Sequence, residues 1–275
     1  MYEKWKGVHT RCAFNMIQEL IPLTRPRTLA AALGPTILGA AFSYYAFGAA
    51  QGTGLAIFHT VLIFLAVVTA QIVANLWNEY KDFKSGLDAG QKVGNAGSIT
   101  RGVITPELII TMIKVLMFVP IIIGLYLSAT ITWYYIPVGF LCILISFLYS
   151  GGPKPISRTP FGEISSGIAM GFTIVLITGY AWIRELSLAL LIPAIPSTLL
   201  VGSIMLTNNI RDIRNDESHG RHTLPIVLGR ERALSLMSIS YIFNFIWIIA
   251  WIIVGHMTWF ALLAFLAAPL AFKTI

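Results

Sequence analysis

Residues 55–88 read "LAIFHTVLIFLAVVTAQIVANLWNEYKDFKSGLD". From Leu55 to Trp77 no Asp, Glu, Lys or Arg interrupts the run, and then Glu79, Lys81, Asp82, Lys84 and Asp88 arrive almost together. An uncharged stretch of this length matches a helix crossing bilayer hydrocarbon about 30 Å thick, which takes roughly 20 residues. The run is continuously apolar and lacks the roughly ten-residue alternating pattern of a barrel strand, so the fold it decides is helical. The charges mark where that helix leaves the hydrocarbon.

Composition extends the reading to the whole chain. Of 275 residues 56% are hydrophobic and 11% charged, against roughly 25% charged in ordinary soluble domains, so most of the surface must be dissolved in lipid. Eight spans are read, near 28–48, 55–78, 107–128, 131–150, 162–183, 188–208, 232–254 and 256–273. The expected fold is an all-α polytopic transmembrane helix bundle, a single domain over residues 1–275, with residues 1–27 as a leader and 13–23 as a short amphipathic helix within it. No cleavable signal peptide is read there. Cys12 and Cys142 fall on different segments, and no disulfide is expected.

A net charge of +7 would suggest nucleic acid in a soluble protein, but its distribution excludes that reading. Lys4, Lys6, Arg11, Arg25 and Arg27 precede the first span, Lys81, Lys84, Lys92 and Arg101 follow the second, and Lys154 and Arg158 follow the fourth. Arg211, Arg214, Arg221, Arg230 and Arg232 cluster after the sixth, whereas the intervening connections carry Arg184 alone. Basic residues on alternate connections follow the positive-inside rule, which puts both termini and the long loops in the cytoplasm of a cell-membrane protein.

Two connections are long, 79–106 and 209–231, and both are rich in Gly, Asp, Asn, Lys and Arg. Loops of this kind in a tightly connected bundle read as functional. Asn78 and Asp82 close the second span as Asn208 and Asp212 close the sixth, so either a duplication of four-helix halves or a chance spacing fits. Residues four apart on a helix share an edge, which groups Asn78 with Asp82, and Asn208 with Asp212 and Asp216. Crowded carboxylates repel unless a cation sits among them. Oxygen donors without His or Cys suit Mg²⁺, which keeps water and shares its shell with substrate phosphates. The plain alternative is that these acids are solvated helix ends and that the Lys and Arg residues obey the positive-inside rule. Tyr149, just before the turn "SGGPKP", reads from position alone as a membrane anchor. His219 and His222 lack a third His or Cys and do not read as zinc ligands.

"NEYKDFKSGLD" (78–88) resembles the first aspartate-rich motif of the UbiA superfamily of intramembrane prenyltransferases, and "NNIRDIRNDESHGRHTLP" (208–225) resembles the second. "RPRTLAAALGPTILG" (25–39), "RGVITPEL" (101–108) and "YSGGPKP" followed by "FGE" (149–163) are similar to signatures of the 1,4-dihydroxy-2-naphthoate polyprenyltransferase branch of menaquinone synthesis. The resemblance implies Mg²⁺ held between the two motifs, binding the diphosphate of a polyprenyl donor and promoting ionisation. Capture by the naphthoate ring with loss of CO₂ would then give demethylmenaquinone. It further implies metal ligation by Asp82, Asp88, Asp212 and Asp216. Diphosphate contacts would come from Asn78, Lys84, Asn208, Arg211 and Arg221, with Arg25 or Arg27 beside them, and Tyr149 would line the acceptor pocket. Three features depart from the family pattern: Glu79 stands where Asp is common, Asp88 lies six residues past Asp82, and eight spans are read where the family has nine. Two alternatives stay open, a UbiA-type enzyme with another acceptor such as 4-hydroxybenzoate, and a divalent-ion transporter.

Overall fold

The computed structural model describes residues 20–86, 98, 99, 102 and 104–273, and among these every regular element is helical. The elements are α1 (Ala30–Phe47), α2 (Thr53–Ser85), α3 (Pro106–Thr130), α4 (Tyr135–Ser150), α5 (Gly162–Ile183), α6 (Leu191–Ser218), α7 (Leu224–Leu228), α8 (Arg230–Ile253) and α9 (Ala268–Lys273). Six described helical segments are long and apolar enough to cross a membrane, α1, α2, α3, α5, α8 and the stretch Leu188–Ser218, while Tyr135–Ser150 and Trp259–Ala271 are shorter apolar segments. Large apolar side chains such as Phe118, Ile122, Phe140, Ile239 and Ile246 lie on the outside, as lipid rather than water requires. The chain is a multi-pass integral membrane protein.

Two expectations are corrected here. Residues expected as the openings of long loops, from 79 and from 209, are helical to Ser85 and to Ser218. The reason is that nothing in "NEYKDFKS" or "NIRDIRNDES" breaks a helix, and the first breakers are Gly86 and Gly220, both at positive φ (74° and 67°) where glycine is the favoured residue. Helix α2, with 33 residues, is about 50 Å long and α6, with 28, about 42 Å. Each therefore outruns hydrocarbon about 30 Å thick, and the surplus is the polar end. The last span, expected as one helix over 256–273, is instead a 3₁₀ segment over Trp259–Ala267 followed by α9.

The chain divides into two compact units, one formed by residues up to Ala30 with Leu65–Gly151, the other by Ala31–Phe64 with Gly152 onward. The first has its core at Leu23, Val73, Leu76, Ile99, Ile104, Ile109 and Ile113. There the indole of Trp77 donates to the carbonyl of Phe147 at 3.0 Å, capping the C-terminal turn of α4.

In the second unit, polar side chains staple the apolar helices internally. Trp182 Nε1 donates to Thr60 Oγ1 (2.8 Å), Gln51 Nε2 to the Ala181 carbonyl (2.7 Å) and Trp247 Nε1 to the Ile192 carbonyl (2.8 Å). Such donors have no water to turn to inside a bilayer. Helices α5 and α6 come into backbone contact: a Cβ on Gly171 would lie 2.6 Å from the Ser197 carbonyl oxygen and from Thr198 Cα. Gly171→Ala is therefore expected to destabilise the protein by about 1–3 kcal/mol, read as a lowered midpoint of thermal aggregation in detergent, because backbone rather than a flexible side chain blocks the methyl.

Candidate active site

The polar end of α6 carries the second acidic motif. Asn208, Asp212 and Asp216 recur at helical spacing, in the part of the helix that projects beyond the apolar span. Their environments differ sharply. Arg211 makes a two-pronged contact with Asp212, Nε to Oδ1 at 2.9 Å and Nη2 to Oδ2 at 2.7 Å, with both side chains well exposed. A pair in water adds little stability and exchanges readily. Asp216 is almost fully buried and faces the half-buried Arg221, whose Nη1 lies 3.3 Å from Oδ1. Arg221 gets there because the chain reverses at Gly220, with its own N–H donating to the Asp216 carbonyl at 3.0 Å. One residue on, His222 N–H donates to the Arg158 carbonyl at 2.9 Å, tying this reversal to the turn before α5. Burial pushes the Asp216 carboxyl up from its ordinary range; Arg221 opposes the shift, and the charge of Asp212 adds to it.

This donor set fits a hard cation in part. Asp212 and Asp216 stand one turn apart and repel, Asn208 adds an amide oxygen, and neither His nor Cys intervenes. Among the described residues no group of three or more His, Cys, Asp or Glu side chains converges. A site of few carboxylates is what Mg²⁺ accepts where water and phosphate complete its shell.

The first motif lies on the polar end of α2. Asn78 and Asp82 are half-buried, one turn apart, beside a buried stripe of Val73, Leu76 and Glu79. Glu79, where the family resemblance expects an oxygen ligand, is 2% exposed and accepts a bond from the Ser98 N–H at 3.0 Å. It therefore holds the backbone at Ser98. Arg25 sits in a turn held against the same face of α2, since Asn75 Nδ2 donates to the Thr24 carbonyl and Gln71 Nε2 to the Thr28 carbonyl. Its backbone is left-handed (φ 49°), costing about 1 kcal/mol for a side-chain-bearing residue. Lys84 is exposed in the last turn of α2, and Tyr149 is half-buried in the last turn of α4. Asp88 and the side chain of Arg27 lie outside the described residues.

One polar pair was not expected from sequence. Asn209 Nδ2 donates to Glu163 Oε1 at 2.8 Å, and Glu163 is 5% exposed. The signal available was a carboxylate opening an apolar span in "FGE", but its partner lies 46 positions away.

A model of the UbiA prenyltransferase family matches residues 32–274. The chain belongs to that family. This UbiA prenyltransferase is 37% identical over 262 residues to a 1,4-dihydroxy-2-naphthoate octaprenyltransferase of Bacillus subtilis, covering 93% of the chain and 80% of that protein. It is 30% identical over 256 residues to the Mycobacterium tuberculosis protein of the same description, covering 90% and 82%. Among solved structures, a UbiA homolog from Archaeoglobus fulgidus bound to DMAPP and Mg²⁺ superposes with a TM-score of 0.64 at 18% identity, covering 92% of the chain and 83% of that one. An apo UbiA homolog from Aeropyrum pernix K1 gives 0.66 at 19%, covering 90% and 86%. At such identities the likeness shows the fold alone, and the UbiA prenyltransferase fold is all-α, as described.

Proposed function

We propose that this UbiA prenyltransferase moves a polyprenyl group from polyprenyl diphosphate to 1,4-dihydroxy-2-naphthoate with loss of CO₂. The observation that carries the reading is the acidic polar end of α6, Asp212 one turn from Asp216, mounted on an apolar span. The acceptor follows from relatives that are 37% and 30% identical and described as acting on that naphthoate. In this reading Asp82 and Asp88 of the first motif and Asp212 and Asp216 of the second provide carboxylates for Mg²⁺, with Asn78 and Asn208 beside them. When bound, Mg²⁺ neutralises charge on the diphosphate as it takes the electron pair of the breaking C–O bond.

The chain's own groups do the remaining work. Arg211 exchanges its exposed bond to Asp212 for phosphate oxygens, joined by Lys84, Arg25 and Arg27. Arg221 keeps Asp216 ionised and in place. Tyr149 lines the acceptor pocket. The allylic carbon bonds to the ring carbon bearing the carboxylate, and the C–C pair released with CO₂ restores aromaticity, so the product leaves as a quinol and its oxidation to demethylmenaquinone is a separate step. An apolar groove of about 280 Å³, lined by residues including Ile37, Tyr44, Ile57 and Trp182, is the kind of surface a polyprenyl tail requires. Eight spans with the acidic helix ends in the cytoplasm complete the reading, since both substrates then meet at the inner face of the cell membrane.

Purified protein given Mg²⁺, a polyprenyl diphosphate and either dihydroxynaphthoate or 4-hydroxybenzoate is expected to form a prenylated product with the naphthoate only, and none in EDTA. Product from 4-hydroxybenzoate alone would remove the acceptor assignment. No product from either would remove the enzyme reading.

A further inference from the structure

Glu163 is the second residue of α5, and the helix it opens is pressed against α6. A Cβ on Gly167 would lie 2.6 Å from the Thr198 carbonyl oxygen, and one on Gly202 3.3 Å from the carbonyl oxygen of Glu163 itself. Gly167–Phe172 is wound as a π-helix, a widened turn of the sort that recurs at functional sites. Contact this close fixes the spacing of the two helices as far along α6 as Gly202, short of its polar end. Toward that end the two helices are joined by a side-chain bond, Asn209 Nδ2 donating to Glu163 Oε1 at 2.8 Å. The other carboxyl oxygen of Glu163, Oε2, is buried without a partner.

Geometry shows what it sets. Asn209 precedes Asp212 by three residues and Asp216 by seven, so their directions differ from its own by about 60° and about 20° around the axis. Fixing Asn209 therefore fixes both carboxylates. We infer that Glu163 is a positioning residue for the metal and diphosphate site of the proposed function, on which this inference rests. It acts through the bond it accepts from Asn209, which orients Asp212 and Asp216 toward the ion. An acceptor oxygen is what the role needs, so glutamine serves in its place and leucine does not.

The test is Mn²⁺ retention in the presence of inorganic diphosphate, followed by electron paramagnetic resonance on detergent-purified protein. Glu163→Gln is expected to match the unaltered protein. Glu163→Leu and Asn209→Leu are each expected to weaken Mn²⁺ binding by about 10-fold, within the range seen when a ligand's supporting partner is lost. The double variant Glu163→Leu/Asn209→Leu should be no weaker than either single one, because both remove the same bond. Unchanged Mn²⁺ binding in a folded Glu163→Leu protein, a Gln variant as poor as Leu, or a double variant showing the product of the two losses would each overturn the inference. Should Glu163→Leu fail to fold, as judged by size exclusion, Asn209→Leu carries the same comparison and a wild-type value there overturns it. Absence of any diphosphate-dependent Mn²⁺ signal from the unaltered protein would instead bring down the proposed function, and the inference with it.

Discussion

Asp212→Ala is expected to lower turnover by about three orders of magnitude, the scale on which removing a group that meets developing transition-state charge is felt, while the protein stays folded. Both halves of that expectation come from the environment of the residue. Asp212 is partly exposed and bonded to a more exposed Arg211, so its loss touches no core and should change stability by no more than about 0.5 kcal/mol. In the proposed function its cost falls on catalysis, where Asp212 and Asp216, one turn apart, serve the cation. Asp82→Ala is expected to behave alike, from the first motif. Product formation per mole of protein, set beside the thermal midpoint in detergent, separates the two effects. A fully active Asp212→Ala protein would remove the metal role.

Arg221→Ala should be felt in stability first, as a loss of about 3–5 kcal/mol. Asp216 is almost completely buried, with the Arg221 guanidinium 3.3 Å away. Removing the cation strands a buried negative charge, which costs far more than a surface pair ever contributes. The sign of the pH effect follows. Burial already pushes the Asp216 carboxyl up, so the penalty for its charged form is present at high pH and is relieved as pH falls through its folded-state pKa, where the group takes up a proton. Arg221→Ala should therefore melt closest to the unaltered protein at acidic pH and diverge as pH rises. A pH-independent gap would mean that the variant loses packing and nothing electrostatic.

The spans were legible because lipid as a solvent imposes a composition that few other environments do; Leu55–Trp77 needs no partner to be recognised. Their ends were less so. Charge at Glu79 or Arg211 signals departure from hydrocarbon, but it does not stop a helix, and the true stops are Gly86 and Gly220. Within the first motif, spacing alone groups Asn78 with Asp82 and leaves Glu79 ambiguous. Whether Glu79 faces metal or core depends on Ser98, 19 positions later. Glu163 showed only as the carboxylate of "FGE", and its partner could not be read, since Asn209 stands on a helix packed against it by glycines. The 3₁₀ winding of Trp259–Ala267 left no trace either, because an apolar composition serves both helix types equally.

Stoichiometry decides whether prenyl transfer and loss of CO₂ are one reaction. With naphthoate labelled in its carboxyl carbon, Mg²⁺ and a polyprenyl diphosphate, the protein should release labelled CO₂, inorganic diphosphate and an unlabelled prenylated quinol in equal amounts, with all three suppressed by EDTA. A prenylated product that keeps the labelled carboxylate, or diphosphate released with no prenylated product at all, would contradict it.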